Sequence, residues 1–472
     1  MLLTFIVVYL LFTLAIGWWA SRKVKTTRDF VIAGQNLPLL LAGSALFATW
    51  FGSETIMGAP SEFVEHGLIG VVEDPFGAAL CLILVGLFFA RPLYRMNIIT
   101  FNDFFRLRFS RRTELITSII IVPSYFGWIA AQLVAMAIVL NVIAGVSVFT
   151  GIAICTVVVL FYTYIGGMWA VSITDFVQTF MILAGLLFLA FQLSGQLGGV
   201  QTVLAQMPDD FFHFLPEGDL ESILAYVAAW ITIGLGSIPQ QDVFQRVMAA
   251  KSEKTAVRAS YLGGFMYLSI GLIPLFIGVC SKLLYPELQE GDAQMVIPQM
   301  VLQHGNMLLQ ILFFGALLSA ILSTTSGAIL APATVIGENI IRPNFKDMDD
   351  ARLLQIMRLA VVGVAVCSAF MATLKTNIYD LVAQSSTLSL VSLFVPLTMG
   401  LYWKRASDMG AILSIVLGMV AWIIAEMAGG PIPPILVGGI ASFAGMLIGS
   451  LGWPGDGADK YREILKLRQQ KQ

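Results

Sequence analysis

The stretch Ala48-Thr49-Trp50-Phe51-Gly52-Ser53-Glu54-Thr55-Ile56-Met57-Gly58-Ala59-Pro60 puts a carboxylate, hydroxyls, two glycines and a proline inside a long apolar run. A continuous helix in hydrocarbon does not favour those residues. An unwound helix lining a cavity does, because its freed carbonyls and amides can bind an ion or a solute. Ionisable groups are costly at membrane depth, so Glu54 is a candidate functional group. The competing reading is a loop or kink packed between two short helices. A second interruption, Gly234-Leu235-Gly236-Ser237-Ile238-Pro239-Gln240-Gln241, has the same character. A third stretch, Ser319 to Gly327, is rich in hydroxyls: Ala320, Ser323 and Ser326 recur every three residues and Thr324 follows Ala320 by four, so they share a helix face. Two hydroxyls plus backbone carbonyls from a broken helix would suit a hard cation such as sodium, although such rows also serve close helix packing. Asp175 reads either as an interfacial carboxylate at a helix start or as a cation relay.

These groups need a membrane scaffold. Hydrophobic residues make up 58% of the 472-residue chain and charged residues 12%, while mean hydropathy is +0.84; soluble domains carry about a quarter charged residues. No basic stripe or nucleic-acid motif is present. Cys81, Cys155, Cys280 and Cys367 lie apart in apolar segments and read as buried free thiols. Apolar runs near 2–20, 38–66, 68–92, 113–143, 148–165, 168–193, 223–245, 258–285, 306–338, 353–374, 377–403, 409–427 and 434–453 predict about thirteen spanning helices. The first is read as a span rather than a signal peptide, anchored by Trp18-Trp19 and Arg22-Lys23.

With residue 1 outside, every Lys and Arg except Lys282 and Lys375 falls on an inward connection or the tail. That bias predicts an odd number of spans, an outside N-terminus and a cytoplasmic C-terminus. Two blocks of five spans then follow, each opening with a broken helix and opposite in orientation, as in transporters with a midplane site. The expected division is a peripheral helix and inner loop (1–37), a first repeat (38–193), an acidic, solvated outer loop (194–222), a second repeat (223–403), and two peripheral helices with a tail (404–472).

Several ordered motifs carry a family resemblance: Ala48 to Gly52, Gly86-Leu87-Phe88-Phe89-Ala90-Arg91-Pro92, and Tyr164-Ile165-Gly166-Gly167-Met168-Trp169-Ala170-Val171 with Thr174-Asp175. Ile238-Pro239, Phe244-Gln245-Arg246-Val247 and the Ala320 to Ser326 row complete the set. Over nearly its whole length the chain resembles the sodium/solute symporter family, and within it the high-affinity choline transporter branch. The resemblance implies an all-α membrane protein with the LeuT-like five-plus-five inverted fold and sodium-driven uptake. It also implies a sodium site at the carbonyls of Ala48, Phe51 and Ala320 and the hydroxyls of Ser323 and Thr324. Some members have a further sodium site, which Asp175, Ser323 and Ser326 fit, with Gly327 replacing a serine ligand. Trp50 and Trp128 match aromatic positions of the choline branch, while Gln240 stands where that branch has tryptophan and Ala78 where it has tyrosine. Glu54 resembles an acidic position of the sugar-transporting branch, where Thr55 replaces a glutamine.

The fold so implied brings Trp50, Glu54, Trp128, Gln132, Gln240 and Gln241 to a pocket between the two breaks and the fourth span. Two aromatic faces, amides and a carboxylate would suit a small polar solute. Glu73 and Asp74 read as interfacial. The expected function is sodium-coupled import by alternating access across a plasma membrane, with compact loops pointing to a bacterial inner membrane. The alternatives are a transporter-fold receptor signalling through a partner, or coupling to another cation. An enzyme is disfavoured: His66, His213 and His304 are expected near outer-face ends, without a nucleophile motif or metal cluster.

Overall fold

The structure is a computed structural model that describes residues 2–290, 293–345, 348–374 and 377–469. All-helical architecture follows from the composition, because backbone amides and carbonyls in hydrocarbon must pair within their own segment. Among the described residues, 10 helices are long and apolar enough to cross a membrane, and Leu39–Ala48, Val148–Phe161 and Leu220–Gly234 are shorter apolar helices. The expected spans are all present as helical segments. Glu54–Met96 contains the second half of the first broken span and all of the third, divided by the tight turns of Gly67–Val71. Val148–Gln196 is divided at Gly167, whose φ of 54° and ψ of −171° interrupt the helix.

Polar residues at the connections start the helices. Thr26 with Asp29 and Thr100 with Asp103 form capping boxes, and Ser110, Ser252, Asn306 and Ser407 each accept an amide hydrogen bond at the first turn of a span.

Met307–Val335 is the central rod; from Phe313 to Val335 it is buried throughout. It packs against Arg111–Ala144 and Val148–Gln196. Leu2–Ser21, Asp408–Ala428 and Pro434–Gly452 are peripheral, with only 25%, 22% and 39% of their most apolar windows buried. Trp18 and Trp19 are exposed, and Arg22 and Lys23 lie over their rings.

The basic connections gather at one end of the bundle. Thr27 N donates to Asp350 (2.8 Å) and Leu37 N to Ala249 O (3.0 Å). Arg95 pairs with Glu253 (2.6 Å), and Arg108 donates to the carbonyls of Gly400, Trp403 and Gly457. At the other end Leu68 N donates to Phe211 O (2.9 Å), Lys282 Nζ to Val64 O (2.9 Å) and Ile378 N to Gln294 (2.8 Å). Lys346, Lys375 and Lys471 lie outside the described residues.

Four expectations need correction. Arg108 and Arg246, counted with interfacial charge, are fully buried, because their long side chains reach interior carbonyls and, for Arg246, a carboxylate. Asp74 is 1% exposed rather than interfacial. The 194–222 loop is more than a solvated cap: Phe211 packs at a tilt against Phe63, and Phe214 packs at a tilt against Phe76 and edge-on against Trp230. Cys367 is exposed on Asp350–Leu374, whereas the other three thiols are buried.

Candidate functional site

At the first break, Leu39–Ala48 ends, residues 49–52 leave regular helix, and the chain resumes through Ser53 into a wide π-helical turn, Glu54–Gly58. Such turns redirect side chains and recur at functional sites. Gly52 fits because a Cβ there would lie 2.7 Å from Gln132 Oε1 and 2.9 Å from Thr324 Oγ1. At the second break, Leu220–Gly234 gives way to an extended Gln240 before Gln241–Ala249. A Cβ on Gly236 would meet Thr232 O at 2.2 Å and Ser386 O at 2.5 Å.

Between the breaks lies a cavity with about 310 Å³ of space free of protein atoms. Trp50, Glu54, Trp128 and Gln240 line it, as do Asp74, Ala78, Ser237, Tyr267, Ser385 and Ser386. Glu54 is 3% exposed and accepts hydrogen bonds from Trp128 Nε1 (3.2 Å) and Gln132 Nε2 (2.7 Å). Gln132, one turn beyond Trp128, therefore holds Glu54 and also accepts from Ser53 N (3.0 Å). Asp74 Oδ2 accepts from Thr55 Oγ1 (2.7 Å), which is 2.7 Å from the Tyr267 hydroxyl. Asp74 Oδ1 is buried without a hydrogen-bond partner. Behind the wall, Asp242 accepts from Trp50 Nε1 (3.0 Å) and from the Tyr125 hydroxyl (2.5 Å), which fixes the plane of the Trp50 indole. Among the described residues, no lysine, arginine or histidine lines the cavity. Gln241 does not line it either: its Oε1 accepts from Phe101 N at 2.6 Å.

A second polar centre lies where the first break meets Met307–Val335. The hydroxyls of Ser323 (3.3 Å) and Thr324 (3.2 Å) both point at the carbonyl of Ala48. Ser323 also hydrogen-bonds Asp175, which is completely buried. The interfacial alternative for Asp175 therefore falls. Arg246 Nη2 is 3.7 Å from Asp175 Oδ2, and the same guanidinium donates to Ala45 O (3.0 Å) and Asp242 O (3.3 Å). Ser326 turns its hydroxyl back to Ser323 O (2.9 Å). A Cβ on Gly327 would lie 2.2 Å from Arg246 Nη2, so the glycine that departs from the family's serine is the space the guanidinium needs. Phe51 and Ala320 are fully buried. Among the described residues no group of three or more His, Cys, Asp or Glu side chains forms a metal cluster.

From the sequence Asp74 reads as interfacial and Arg246 enters only within a family motif, while Asp242 and Tyr267 are not singled out. The rule that flagged Glu54, an ionisable group within an apolar run, would have found the two aspartates and Arg246. Nothing in the sequence marks Tyr267, whose role comes from helix packing.

Two discontinuous helices meet at a buried polar cavity, and solved structures of transporters share this fold. The fold aligns with a substrate-bound, outward-open Na+-coupled sialic acid symporter at a TM-score of 0.84 and 19% identity, over 96% of this chain and 97% of that one. It also aligns with Mhp1, a nucleobase-cation-symport-1 family transporter, in a closed conformation (TM-score 0.62, 15% identity, 92% and 98% covered). The architecture is LeuT-like. By sequence, the chain is 28% identical over 442 residues to the high-affinity choline transporter 1 of Torpedo marmorata (88% of this chain, 75% of that protein). It is 29% identical over 442 residues to the high-affinity proline transporter PutP of Bacillus subtilis (88% and 90%). The model of the sodium:solute symporter family matches residues 30–418, and the chain belongs to that family.

Proposed function

We propose that this protein is a sodium-coupled symporter that imports a small polar organic solute across the plasma membrane by alternating access, with its N-terminus outside and its C-terminus in the cytoplasm. The observation that carries the reading is the convergence of Ser323 and Thr324 on the Ala48 carbonyl, with Thr324 and Glu54 both bordering Gly52. Ala48, Phe51, Ala320, Ser323 and Thr324 hold the sodium ion. Sodium bound there ties the broken helix to the central rod and favours the conformation that receives solute beside Glu54. Trp50, Glu54, Trp128 and Gln240 contact the solute, and Gln132 positions Glu54. The stoichiometry is one sodium, because Arg246 already supplies a positive charge to Asp175. The membrane potential contributes roughly 2.3 kcal/mol per charge per 100 mV, a sufficient drive for one ion.

The collection of basic connections at one end supports the orientation, through their retention on the cytoplasmic side. Thermal unfolding of the purified protein, titrated with sodium or potassium chloride at constant ionic strength, tests the coupling. A midpoint rising with sodium alone is expected. Equal response to the two cations overturns the reading.

A further inference from the structure

The cavity wall holds two carboxylates and no counter-cation. Glu54 has donors on both oxygens, from Trp128 and Gln132. Asp74 has a donor on Oδ2 only, and its Oδ1 is an acceptor sealed from solvent with nothing to accept. Buried carboxylate oxygens are ordinarily hydrogen-bonded, and an unfilled one is costly. The buried guanidinium of Arg246 does not relieve it, being engaged with Asp175, Ala45 O and Asp242 O. What this wall lacks is a positive charge that also donates hydrogen bonds.

Resting on the symport reading, we propose that the solute is a small ammonium compound that carries at least one N–H and no carboxylate, with an N–H directed to Asp74 Oδ1 and its charge shared between Asp74 and Glu54. The faces of Trp50, Trp128 and Tyr267 attract the same cation through their ring quadrupoles. A quaternary ammonium gains the charge and the aromatic faces but leaves Oδ1 empty, since it has no N–H to give. An amino acid brings a carboxylate into a wall where only hydroxyls and one amide can receive it, against two like charges. A sugar supplies donors and no charge. The small size of the cavity restricts the choice to small molecules.

A methylation series separates these classes. Ethanolamine, N-methylethanolamine, N,N-dimethylethanolamine and choline, with proline and galactose as comparators, are titrated against the full-length protein in sodium, and thermal stabilisation is read for each. Ethanolamine and its monomethyl form are expected to bind at least about tenfold more tightly than choline, a gap of about 1.4 kcal/mol. Asp74→Asn removes the preference, bringing the amines to within about threefold of choline, and keeps the stabilisation by sodium alone. Choline binding as well as ethanolamine, proline or galactose outcompeting the amines, or an unchanged series in Asp74→Asn each overturns the proposal. The wild-type series decides the matter even where the variant does not fold. Stabilisation by sodium without ligand is an independent readout: its presence beside a reversed series sinks the ammonium assignment alone, and its absence sinks the symport reading.

Discussion

Asp175 and Asp74 are both acids buried among membrane helices, yet the protein surrounds them differently. Asp175 has Arg246 at 3.7 Å and a hydroxyl from Ser323, with Gly327 leaving the space that the guanidinium fills. Asp74 has the Thr55 and Tyr267 hydroxyls but no cation, and it lines a cavity that contains a second acid. An unpaired buried ion costs several kcal/mol, so the pair at Asp175 belongs to the folded structure. Each acid keeps one oxygen without a hydrogen-bond donor, Asp175 Oδ2 and Asp74 Oδ1, but only Asp175 has a guanidinium close enough to balance its charge. The difference separates charge that holds the scaffold from charge that selects a ligand.

Removing the guanidinium is the hardest test of that contrast. Arg246→Ala leaves Asp175 buried and uncompensated and strips two carbonyls of their donor, at a cost of about 3–5 kcal/mol. The loss reads as a lower unfolding midpoint in detergent, and Arg246→Lys recovers part of it. Asp175→Asn combined with Arg246→Gln should be less damaging than Arg246→Ala alone. A harmless Arg246→Ala would mean that the two acids are not treated differently after all.

Gly327→Ser comes next. Its Cβ would fall 2.2 Å from Arg246 Nη2, so the guanidinium must leave its place beside Asp175, with a loss of about 1–3 kcal/mol. Stability unchanged from wild type would show that the guanidinium has another equally good position. Gly327→Ala separates displacement from any effect of the new hydroxyl and should cost a similar amount.

The proposed sodium centre adds a third, functional comparison. Ser323→Ala and Thr324→Ala each remove a neutral oxygen directed at Ala48 O. Each should raise the sodium concentration for half-maximal thermal stabilisation about tenfold or more, roughly 1.4 kcal/mol. Ser326→Ala removes a hydroxyl turned back onto its own helix and should leave sodium dependence close to wild type. Equal effects of Ser326→Ala and Thr324→Ala would place the ion nearer Asp175 than proposed.

How far the sequence goes is visible in these same residues. The two breaks, the hydroxyl row and the basic connections could be read directly, because glycine, proline and charge within apolar runs violate what hydrocarbon requires of a helix. Those violations locate the cavity and the hydroxyl-rich centre along the chain. They do not reveal partners. Arg246 and Arg108 look like interfacial bases until the structure shows their side chains reaching inward. Gln241, adjacent to Gln240 in sequence, bonds Phe101 instead of facing the cavity, because the extended backbone at Gln240 ends and a helix begins between them. Asp74 was read as interfacial because it lies at the start of a span. Its burial depends on Thr55 and on Tyr267, which lies 193 positions further along, in a helix whose packing no local pattern specifies.

Asp74→Asn is the smallest perturbation of stability and the most informative. The substitution keeps the side-chain shape and an oxygen for Thr55, and it removes a charge that no cation in the cavity wall balances. The amide's new donors find no acceptor as readily as the carboxylate's oxygens found Thr55, which opposes the gain from lost charge. The net change should lie within about 1 kcal/mol of zero and can be stabilising, as is common when a functional charge is neutralised. The unfolding midpoint without ligand measures it directly. A large loss, comparable with that of Arg246→Ala, would make Asp74 a structural acid with a partner in the fold. A near-neutral result would leave its unfilled Oδ1 to a ligand, because a charge kept at little benefit to folding must be justified by what it binds.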